Sequence, residues 1–186
     1  MTRAPSSMTF TPRRQKSGYT ALKVYLAGAA VQLVVMGLLF WKDSYVHDMR
    51  MYEARLTLGD IGKAAQASFA RDGKLCPSAT KSVPEDFSAL PGRHRSVSDG
   101  YQSQHSEWTV DEASHRGFAC LGFEMTKMHH FGYAYEATPT SFVARATGDP
   151  AYTGDPVTFE LRGVVKNGVL QIASEPKESK SRSPLR

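Results

Sequence analysis

The chain has 186 residues, of which 41% are hydrophobic, and a formal net charge of +5. This length allows one domain of ordinary size with accessory segments, and the composition gives that domain a hydrophobic core. The positive charge lies at the ends: the first 23 residues carry five bases and no acid, and the tail after Ser174 adds +2, which leaves the body at −2. A body without a cationic surface argues against nucleic acid as a partner.

A long apolar run follows the basic leader, residues 1–18. It covers residues 24–41, eighteen positions without a charged side chain, and Gln32 is its one strongly polar residue. As a helix it would measure roughly 27 Å, about the thickness of a bilayer core. A core helix would keep a polar face, and a cleaved signal peptide would end in small residues, which residues 40–43 do not provide. The run therefore predicts a transmembrane helix over residues 19–41.

Charges and aromatic residues predict the orientation of this helix. All five bases of the N-terminal flank precede the run, and flanks rich in lysine and arginine stay in the cytoplasm. Trp41 and Tyr45 stand at its other end, where interfacial aromatic anchors are expected. We therefore expect the N-terminus in the cytoplasm and the rest of the chain beyond the membrane.

Helical signals continue past the apolar run, because no proline occurs over residues 24–75. Apolar residues at spacings of three and four define one face of this second half, residues 42–73: Met51, Ala54, Leu58, Ile61, Ala65 and Phe69. Charged residues are expected on the other faces: Arg50, Glu53, Arg55, Asp60 and Lys63. The pattern predicts a single helix over residues 19–71, with Asp72-Gly73 as its stop.

The remaining sequence predicts helix followed by sheet. Residues 74–116 are polar and broken by prolines and glycines, which predicts a long connection with one short strand near residues 107–110 and an exposed interaction surface. Aromatic and β-branched segments then predict an antiparallel sheet within residues 117–174. Its expected strands are 117–123, 132–138, 142–147, 157–162 and 169–173.

Two features complete this α+β prediction. Asn167-Gly168 is typical of a type I′ hairpin turn, which fits a meander of neighbouring strands. The apolar face of that meander needs a cover, and the amphipathic residues 42–73 are the candidate of suitable size. The polar residues 175–186 are expected to form a disordered tail.

The two cysteines, Cys76 and Cys120, both lie beyond the apolar run. In a Gram-negative host that compartment permits disulfides. A bridge would close a loop of about 45 residues and contribute ~4 kcal/mol. It would also tie the end of the helix to the first predicted strand. Two buried free thiols are the alternative, and the disulfide is favoured.

Several motifs together resemble those of type IV pilins and type II secretion pseudopilins. The basic leader leads into residues 18–22 (GYTAL) before the apolar run, and residues 117–123, 131–135 and 142–149 are similar to the closing strands of pilin-like proteins. The resemblance covers residues 13–176. It implies a pilin-like α+β fold, in which a long N-terminal helix, its first half transmembrane, packs on a small antiparallel β-meander.

The resemblance also implies processing and partners. A prepilin peptidase would cut after Gly18, and Tyr19 would become the methylated N-terminus. Lys23, Gln32 and Trp41 would belong to the membrane and assembly helix. The protein would lie in a bacterial inner membrane as a single-pass protein with a periplasmic C-terminal domain, or in a surface filament. Its partners would be other pilin-like subunits, assembly-platform proteins, the peptidase and the lipid bilayer, and no cofactor is implied.

Lys23 departs from the family pattern, which has glutamate as the fifth residue of the mature chain. In the family that glutamate pairs with a neighbouring subunit's N-terminal amine in an apolar filament core. A lysine would instead bury two cations together, which is costly. This favours an initiating tip subunit over a major subunit. The alternative is a divergent member that stays in the membrane, with Lys23 reaching the cytoplasmic interface.

No catalytic or metal-binding motif accompanies these features. The six histidines show no His-x-x-x-His spacing, and the cysteines form no Cys-x-x-Cys pair. Adjacent His129 and His130 are interpreted as surface residues. Asp149 and Asp155 lie in a proline-containing connection, which favours a turn over a calcium loop. We therefore expect no enzyme and no metal site.

Two functions are compatible with this sequence. The first is a structural subunit, a minor pilin or pseudopilin of a type IV pilus or of a type II protein secretion-like assembly. The alternative is a bitopic inner-membrane protein whose pilin-like periplasmic domain binds or senses a partner through the loop of residues 76–115 and does not polymerise. Removal of the leader distinguishes them, because only the first function requires it.

Overall fold

The computed structural model describes residues 17–90 and 100–180. The chain divides into two compact units, Met1–Ser44 and Tyr45–Arg186. The first unit contains the beginning of a long helix. The second contains the rest of that helix together with the sheet and the segments that connect them.

Helix α1 spans Ser17–Asp72 and contributes residues to both units. Its bounds lie within two residues of the helix predicted over residues 19–71, which is confirmed. Gly73 follows with a φ of 67°, and its N–H donates to the carbonyl of Phe69 at 2.9 Å. This left-handed stop is the one for which glycine is suited. Of the predicted leader, residues 1–18, all but the last two lie outside the described residues.

In the first unit, side chains of α1 are described for residues 23 and 25–38, and all of them are exposed. The large apolar residues among them are Tyr25, Leu26, Val31, Leu33, Val34, Val35, Met36 and Leu38. Within the described residues, no helix combines the length and the apolar character that a membrane span requires. The transmembrane prediction for residues 19–41 is not supported by this finding.

The second unit contains a five-stranded antiparallel sheet. Its strands are β1 (Gly132–Ala137), β2 (Ser141–Gly148), β3 (Val157–Lys166), β4 (Val169–Ile172) and β5 (Lys177–Lys180). Strands β1 to β4 follow one another as a meander, and β5 pairs with the first half of β3. The α+β class with an antiparallel meander is confirmed. The structure also confirms the strands predicted at 132–138, 142–147, 157–162 and 169–173.

The β3–β4 hairpin has the turn that the sequence predicts. Asn167 and Gly168 have φ angles of 53° and 74°. Positive φ at both central residues is what a type I′ turn requires, and its twist matches that of the flanking strands. The pairing closes with Lys166 opposite Val169.

One face of α1 covers the sheet and forms the core of the second unit. Ala54, Leu58, Ile61 and Ala65 are at most 1% exposed. They share a cluster with buried residues of the sheet: Tyr133, Tyr135, Phe142, Ala144, Ala146, Phe159 and Leu161. Strand β2 alternates buried and half-buried residues, as a strand with one covered face should. The predicted helical face and its role as the cover of the sheet are confirmed.

The strand predicted near residues 107–110 is wrong. The segment contains helix α2, His105–Trp108, a single turn. The backbone N–H of Gln104 donates to the carboxylate of Glu107 at 2.6 Å, which caps this turn as in a capping box. Short 3₁₀ turns also lie within the predicted loop, at Phe87–Ala89 and Glu112–Ser114.

The strand predicted at residues 117–123 is wrong as well. Its first part is helix α3, Gly117–Leu121, which ends at Gly122 with a φ of 64°. Gly122, which lay inside the predicted strand, is therefore a helix stop. The sheet begins at Gly132 instead.

The tail predicted to be disordered, residues 175–186, is ordered in its first part. Strand β5 pairs with β3, with Glu178 opposite Phe159. The carboxylate of Glu178 also lies 3.7 Å from the guanidinium of Arg55 on α1. The polar composition of this segment suited an edge strand as well as a tail, since edge strands are commonly charged.

Arg50 departs from the prediction that the charged residues of α1 face solvent. Its side chain is buried, and its Nη1 donates to the carbonyl of Pro150 at 2.7 Å. Its guanidinium carbon lies 4.5 Å from the centre of the Tyr152 ring. The carbonyl and the ring compensate for lost hydration. The prediction is confirmed for three charged residues: Arg55, Asp60 and Lys63.

Candidate functional site

The residues predicted for processing and assembly lie on the first part of α1. Gly18 and Tyr19 are its second and third residues, and the side chains of Tyr19 and Trp41 lie outside the described residues. Lys23 and Gln32 are exposed. They are nine positions apart, which places them on opposite sides of a helix with 3.6 residues per turn. The structure therefore does not bring these two polar residues together.

The predicted disulfide is present. The Sγ atoms of Cys76 and Cys120 are 2.09 Å apart. The bond ties the segment after α1 to helix α3 rather than to a strand, which corrects one part of the prediction. The hydroxyl of Ser68, on the last turns of α1, lies 2.9 Å from the Cys76 Sγ, and the hydroxyl of Tyr135 donates to the Cys76 carbonyl at 3.3 Å. Helix, connection and sheet thus meet at this bridge.

A polar contact not predicted from the sequence joins α1 to the segment before β1. Both the backbone N–H and the Nδ1 of His130 lie 2.9 Å from the carboxylate of Glu53. Neither side chain is more than a quarter exposed. A carboxylate that accepts two hydrogen bonds in a half-buried position compensates for much of its lost hydration. The contact fixes this segment against the helix.

His129 is the buried partner of this pair of histidines. Its side chain is 0% exposed, and its Nδ1–H donates to the carbonyl of Phe131 at 2.6 Å, while its Nε2 has no hydrogen-bond partner among the described residues. Burial lowers the pKa of His129, although the hydrogen bond to Phe131 and the charges of Glu53 and Glu107 oppose the shift. The interpretation of residues 129 and 130 as surface histidines is wrong, because the two precede β1 and pack under the helix.

Tyr133 extends the cluster into the core. Its side chain is 0% exposed. Burial raises the pKa of Tyr133, and the negative charge of Glu53 raises it further. The side chain is therefore a neutral phenol. Its position on β1, opposite Ala146, leaves room for the ring under α1.

The predicted loop is organised around Trp108. The indole is 1% exposed, and its Nε1–H donates to the hydroxyl of Ser103 at 2.8 Å. Tyr101 donates to the carboxylate of Glu107 at 2.6 Å and lies edge-on to the His129 ring, with 5.3 Å between the ring centres. Burial raises the pKa of Tyr101 to about 12. This part of the loop belongs to the hydrophobic core and is not a solvated surface.

The acidic connection between β2 and β3 is a turn. The carboxylate of Asp149 accepts hydrogen bonds from the backbone N–H groups of Thr153 at 3.1 Å and Gly154 at 2.7 Å. Its oxygens are thus used within the turn, as Asx turns use them. Within the part of the chain that the structure describes, no group of three His, Cys, Asp or Glu side chains is placed to hold a metal ion.

These contacts define what the arrangement can do. The cluster of Glu53, His129, His130 and Tyr133 holds the segment before β1 against α1, and the disulfide holds the segment after α1 against α3. Both join parts of the chain that are distant in sequence, and so both stabilise the second unit. Comparisons of this chain with protein-family models, curated proteins and solved structures find no match.

Proposed function

We propose that this chain is a membrane-anchored, pilin-like structural subunit, a minor pilin or pseudopilin of a type IV pilus or type II secretion-like assembly. One observation above all supports the proposal. A single helix of 56 residues carries exposed apolar side chains over residues 25–38 and a buried face over residues 54–65, where an antiparallel meander covers it. An exposed surface so rich in aliphatic residues calls for lipid or for other apolar helices around it. The buried face over residues 54–65 is already covered by the sheet.

In this proposal residues 19–41 insert into a bacterial inner membrane, with the basic residues 1–18 in the cytoplasm. A prepilin peptidase removes that leader after Gly18, and Tyr19 becomes the methylated N-terminus. The second unit lies in the periplasm, which fits a disulfide in that unit. Partners are other pilin-like subunits and assembly-platform proteins rather than nucleic acid, and the role is structural rather than catalytic.

Lys23 favours a second candidate, a bitopic protein with a pilin-like periplasmic interaction or sensory domain that does not polymerise. Its side chain is exposed on a stretch of helix whose other described side chains are nearly all apolar. In a filament core, that ammonium group would lose its hydration without a carboxylate partner. In a permanent anchor it would reach the cytoplasmic interface along its own methylene stem.

Leader removal separates the two candidates. The full chain with a C-terminal tag would be purified from cells with and without prepilin peptidase, and its intact mass and N-terminal sequence measured. The first candidate predicts a chain that begins at Tyr19 only when the peptidase is present. A chain that keeps Met1 or Thr2 in both strains would contradict it and favour the permanent anchor.

Two glycine variants control this measurement. Gly18→Leu should abolish processing, because it changes the residue before the expected cut. Gly28→Leu should leave processing intact, since Gly28 lies in the same helix and an added Cβ there meets nothing within 4 Å. Equal processing of both variants would show that the cut does not depend on Gly18.

Membrane insertion is tested separately by extraction of cell membranes with alkaline carbonate. Replacement of both Val31 and Val34 by lysine should release the chain, because each lysine at the centre of a membrane helix opposes insertion by about 3 kcal/mol. The matched control replaces Val164 and Val169, which are exposed valines of the second unit. Release of wild-type protein by carbonate would overturn the membrane anchor itself.

A further inference from the structure

The part of α1 that belongs to the second unit has a second apolar face. Four large residues of this face are about half exposed: Tyr45, Met49, Tyr52 and Leu56. Their spacings are four, three and four, so they line up along one side of the helix. We call these four residues the seam.

The seam is separate from the face that covers the sheet. Core residues Ala54, Leu58 and Ile61 are 0% exposed. At 3.6 residues per turn they lie on the side of the helix opposite the seam. Alternate spacings of three and four are those of the a and d positions of a coiled coil, in which one helix packs along another. A helix that is already fixed to its sheet thus presents a preorganised apolar edge.

The surroundings of the seam are apolar in character. With Val46, the seam lines an open cavity of about 510 Å³. Two charged side chains at its border already have partners, since Arg50 donates to the Pro150 carbonyl and Glu53 accepts from His130. The Nε2 of His130, also at the border, has no hydrogen-bond partner among the described residues. The cavity therefore suits an apolar or aromatic side chain rather than a charged ligand.

We propose that the seam pairs with the seam of a second copy of this chain, side by side and parallel. The inference rests on the proposed function, because two copies inserted in one membrane with the same orientation have parallel helices at the same height. Identical surfaces at the same height meet about a two-fold axis, which is the commonest symmetry of protein pairs. Such a pair needs no second type of surface.

Charges beside the seam fit this parallel arrangement. The seam spacings put Met49 and Leu56 at position a, so Asp48 and Arg55, one residue earlier, are at position g. In a parallel pair of helices, a residue at position g faces the residue five places further on in the partner. Arg55 would face Asp60 of the second copy, twice by symmetry, and both side chains are about half exposed. Within the chain, Arg55 lies 3.7 Å from Glu178 and Asp60 lies 2.8 Å from Lys63, so each charge would be shared between an internal partner and the second copy. Asp48 would face Glu53, but the Glu53 carboxylate is turned toward His130 and is less than a quarter exposed.

The small size of the seam determines where pairing occurs. Four side chains a copy make an interface well below the roughly 1,200 Å² of stable complexes in solution. Confinement to one membrane raises the effective concentration and compensates for a weak contact. Pairing should therefore be found in membranes and be lost on dilution in detergent.

Crosslinking of the full chain in native membranes tests the proposal. Tyr52→Cys places a thiol on the seam, and Val110→Cys is the matched control, an exposed apolar residue elsewhere in the second unit. With a short bismaleimide, Tyr52→Cys should give at least ten times more product at twice the chain mass than Val110→Cys. Adding Leu56→Arg to Tyr52→Cys should reduce that product at least tenfold. Intact-mass analysis checks that Cys76 and Cys120 remain bonded in each variant.

Three outcomes would overturn the pairing: equal dimer yields from both cysteine variants, only adducts of Tyr52→Cys with other proteins, or no crosslinked product of Tyr52→Cys. The N-terminus of the same samples separates this result from the proposed function. Loss of the dimer with a processed leader contradicts the seam alone. A dimer with an intact leader supports the seam and contradicts the assembly subunit.

Discussion

Two stretches of helix α1 use their apolar residues in opposite ways. Residues 25–38 are almost entirely apolar, yet all of their described side chains are exposed. Over residues 54–65, it is the buried apolar residues that occur at spacings of three and four, and four of them are at most 1% exposed: Ala54, Leu58, Ile61 and Ala65. The stretch richer in apolar residues is thus the one that buries none of its described side chains. The difference shows that burial follows from pattern and from a matching surface rather than from hydrophobicity alone.

The matching surface explains the behaviour of residues 54–65. Strands β1 to β3 place buried apolar side chains, four of them aromatic rings, at alternate positions on one side of the sheet, and the helical face shares one cluster with them. Each square ångström of apolar area removed from water contributes about 25 cal/mol. Residues 25–38 bury none of their described side chains within the first unit, and in the proposed function lipid or neighbouring helices cover them.

Removal of the disulfide should have the largest effect on stability. Replacement of Cys76 and Cys120 by alanine should lower the free energy of unfolding of the second unit by about 4 kcal/mol, because the bridge closes a long loop in the unfolded chain. Urea denaturation of the full chain in detergent measures the change. Amide exchange should rise over residues 54–65 and stay unchanged over residues 25–38. Wild-type protein treated with a reductant is the control and should unfold at the same urea concentration as the double variant.

Removing side-chain volume from the buried face should have the next largest effect. Leu58→Ala leaves a cavity under α1 and should lower the free energy of unfolding by about 3 kcal/mol. Leu56→Ala makes the same chemical change two positions earlier, where the side chain is 51% exposed. It should change stability by less than about 0.5 kcal/mol. Similar losses for both variants would show that the two faces of the helix do not differ as described.

The extent to which the sequence predicts this fold differs between its elements. The helical face, strands β1 to β4 and the Asn167-Gly168 turn follow rules of period and local conformation that can be applied to a single segment. The segment 117–123 could not be assigned in the same way, because aromatic residues between glycines fit a strand or a short helix. Its disulfide and its packing around Trp108 are contacts with distant residues, and they favour the helix.

The polar cluster was harder to predict than the core. Arg50 lies four positions before Ala54, so the helical period alone could have placed it on the buried side. Glu53 gives no such signal, because its partner His130 is 77 residues away in sequence. A buried polar residue depends on one specific partner, whereas a buried apolar residue needs only an apolar surface.

Adding side-chain volume to the core should lower the free energy of unfolding by less than removing it. Glycine variants in the sheet and in residues 25–38 compare the same two regions. Gly163→Ala places a methyl group on β3 against the ring of Phe142, its partner on β2. Overpacking of this kind should lower the free energy of unfolding by about 2 kcal/mol. Gly37→Ala adds the same methyl group where nothing lies within 4 Å, and alanine there should favour the helix. Thermal unfolding of both variants measures the difference, and a stable Gly163→Ala protein would contradict a filled core at β3.

The smallest expected effect is the pH dependence due to His129. Because burial lowers the pKa of His129 in the folded chain below its ordinary 6.5, the unfolded chain binds more protons below that pH. Stability contributed by the neutral ring is therefore complete above about pH 6.5 and decreases as the pH falls through that value. Between pH 7.5 and 5.5 the free energy of unfolding should therefore decrease, with a slope of at most about 1.4 kcal/mol per pH unit, which is the limit for one proton.

Urea denaturation of the full chain at a series of pH values measures this loss. His129→Gln removes the titrating ring, so its stability should fall less between pH 7.5 and 5.5, whatever its stability at neutral pH. His115→Gln is the control, because the His115 side chain is exposed and no ion pair to it is found among the described residues. That variant should keep the slope of the wild-type protein. If His129→Gln kept that slope too, the acid sensitivity would come from other groups near the cluster, and burial of the His129 ring would not explain it.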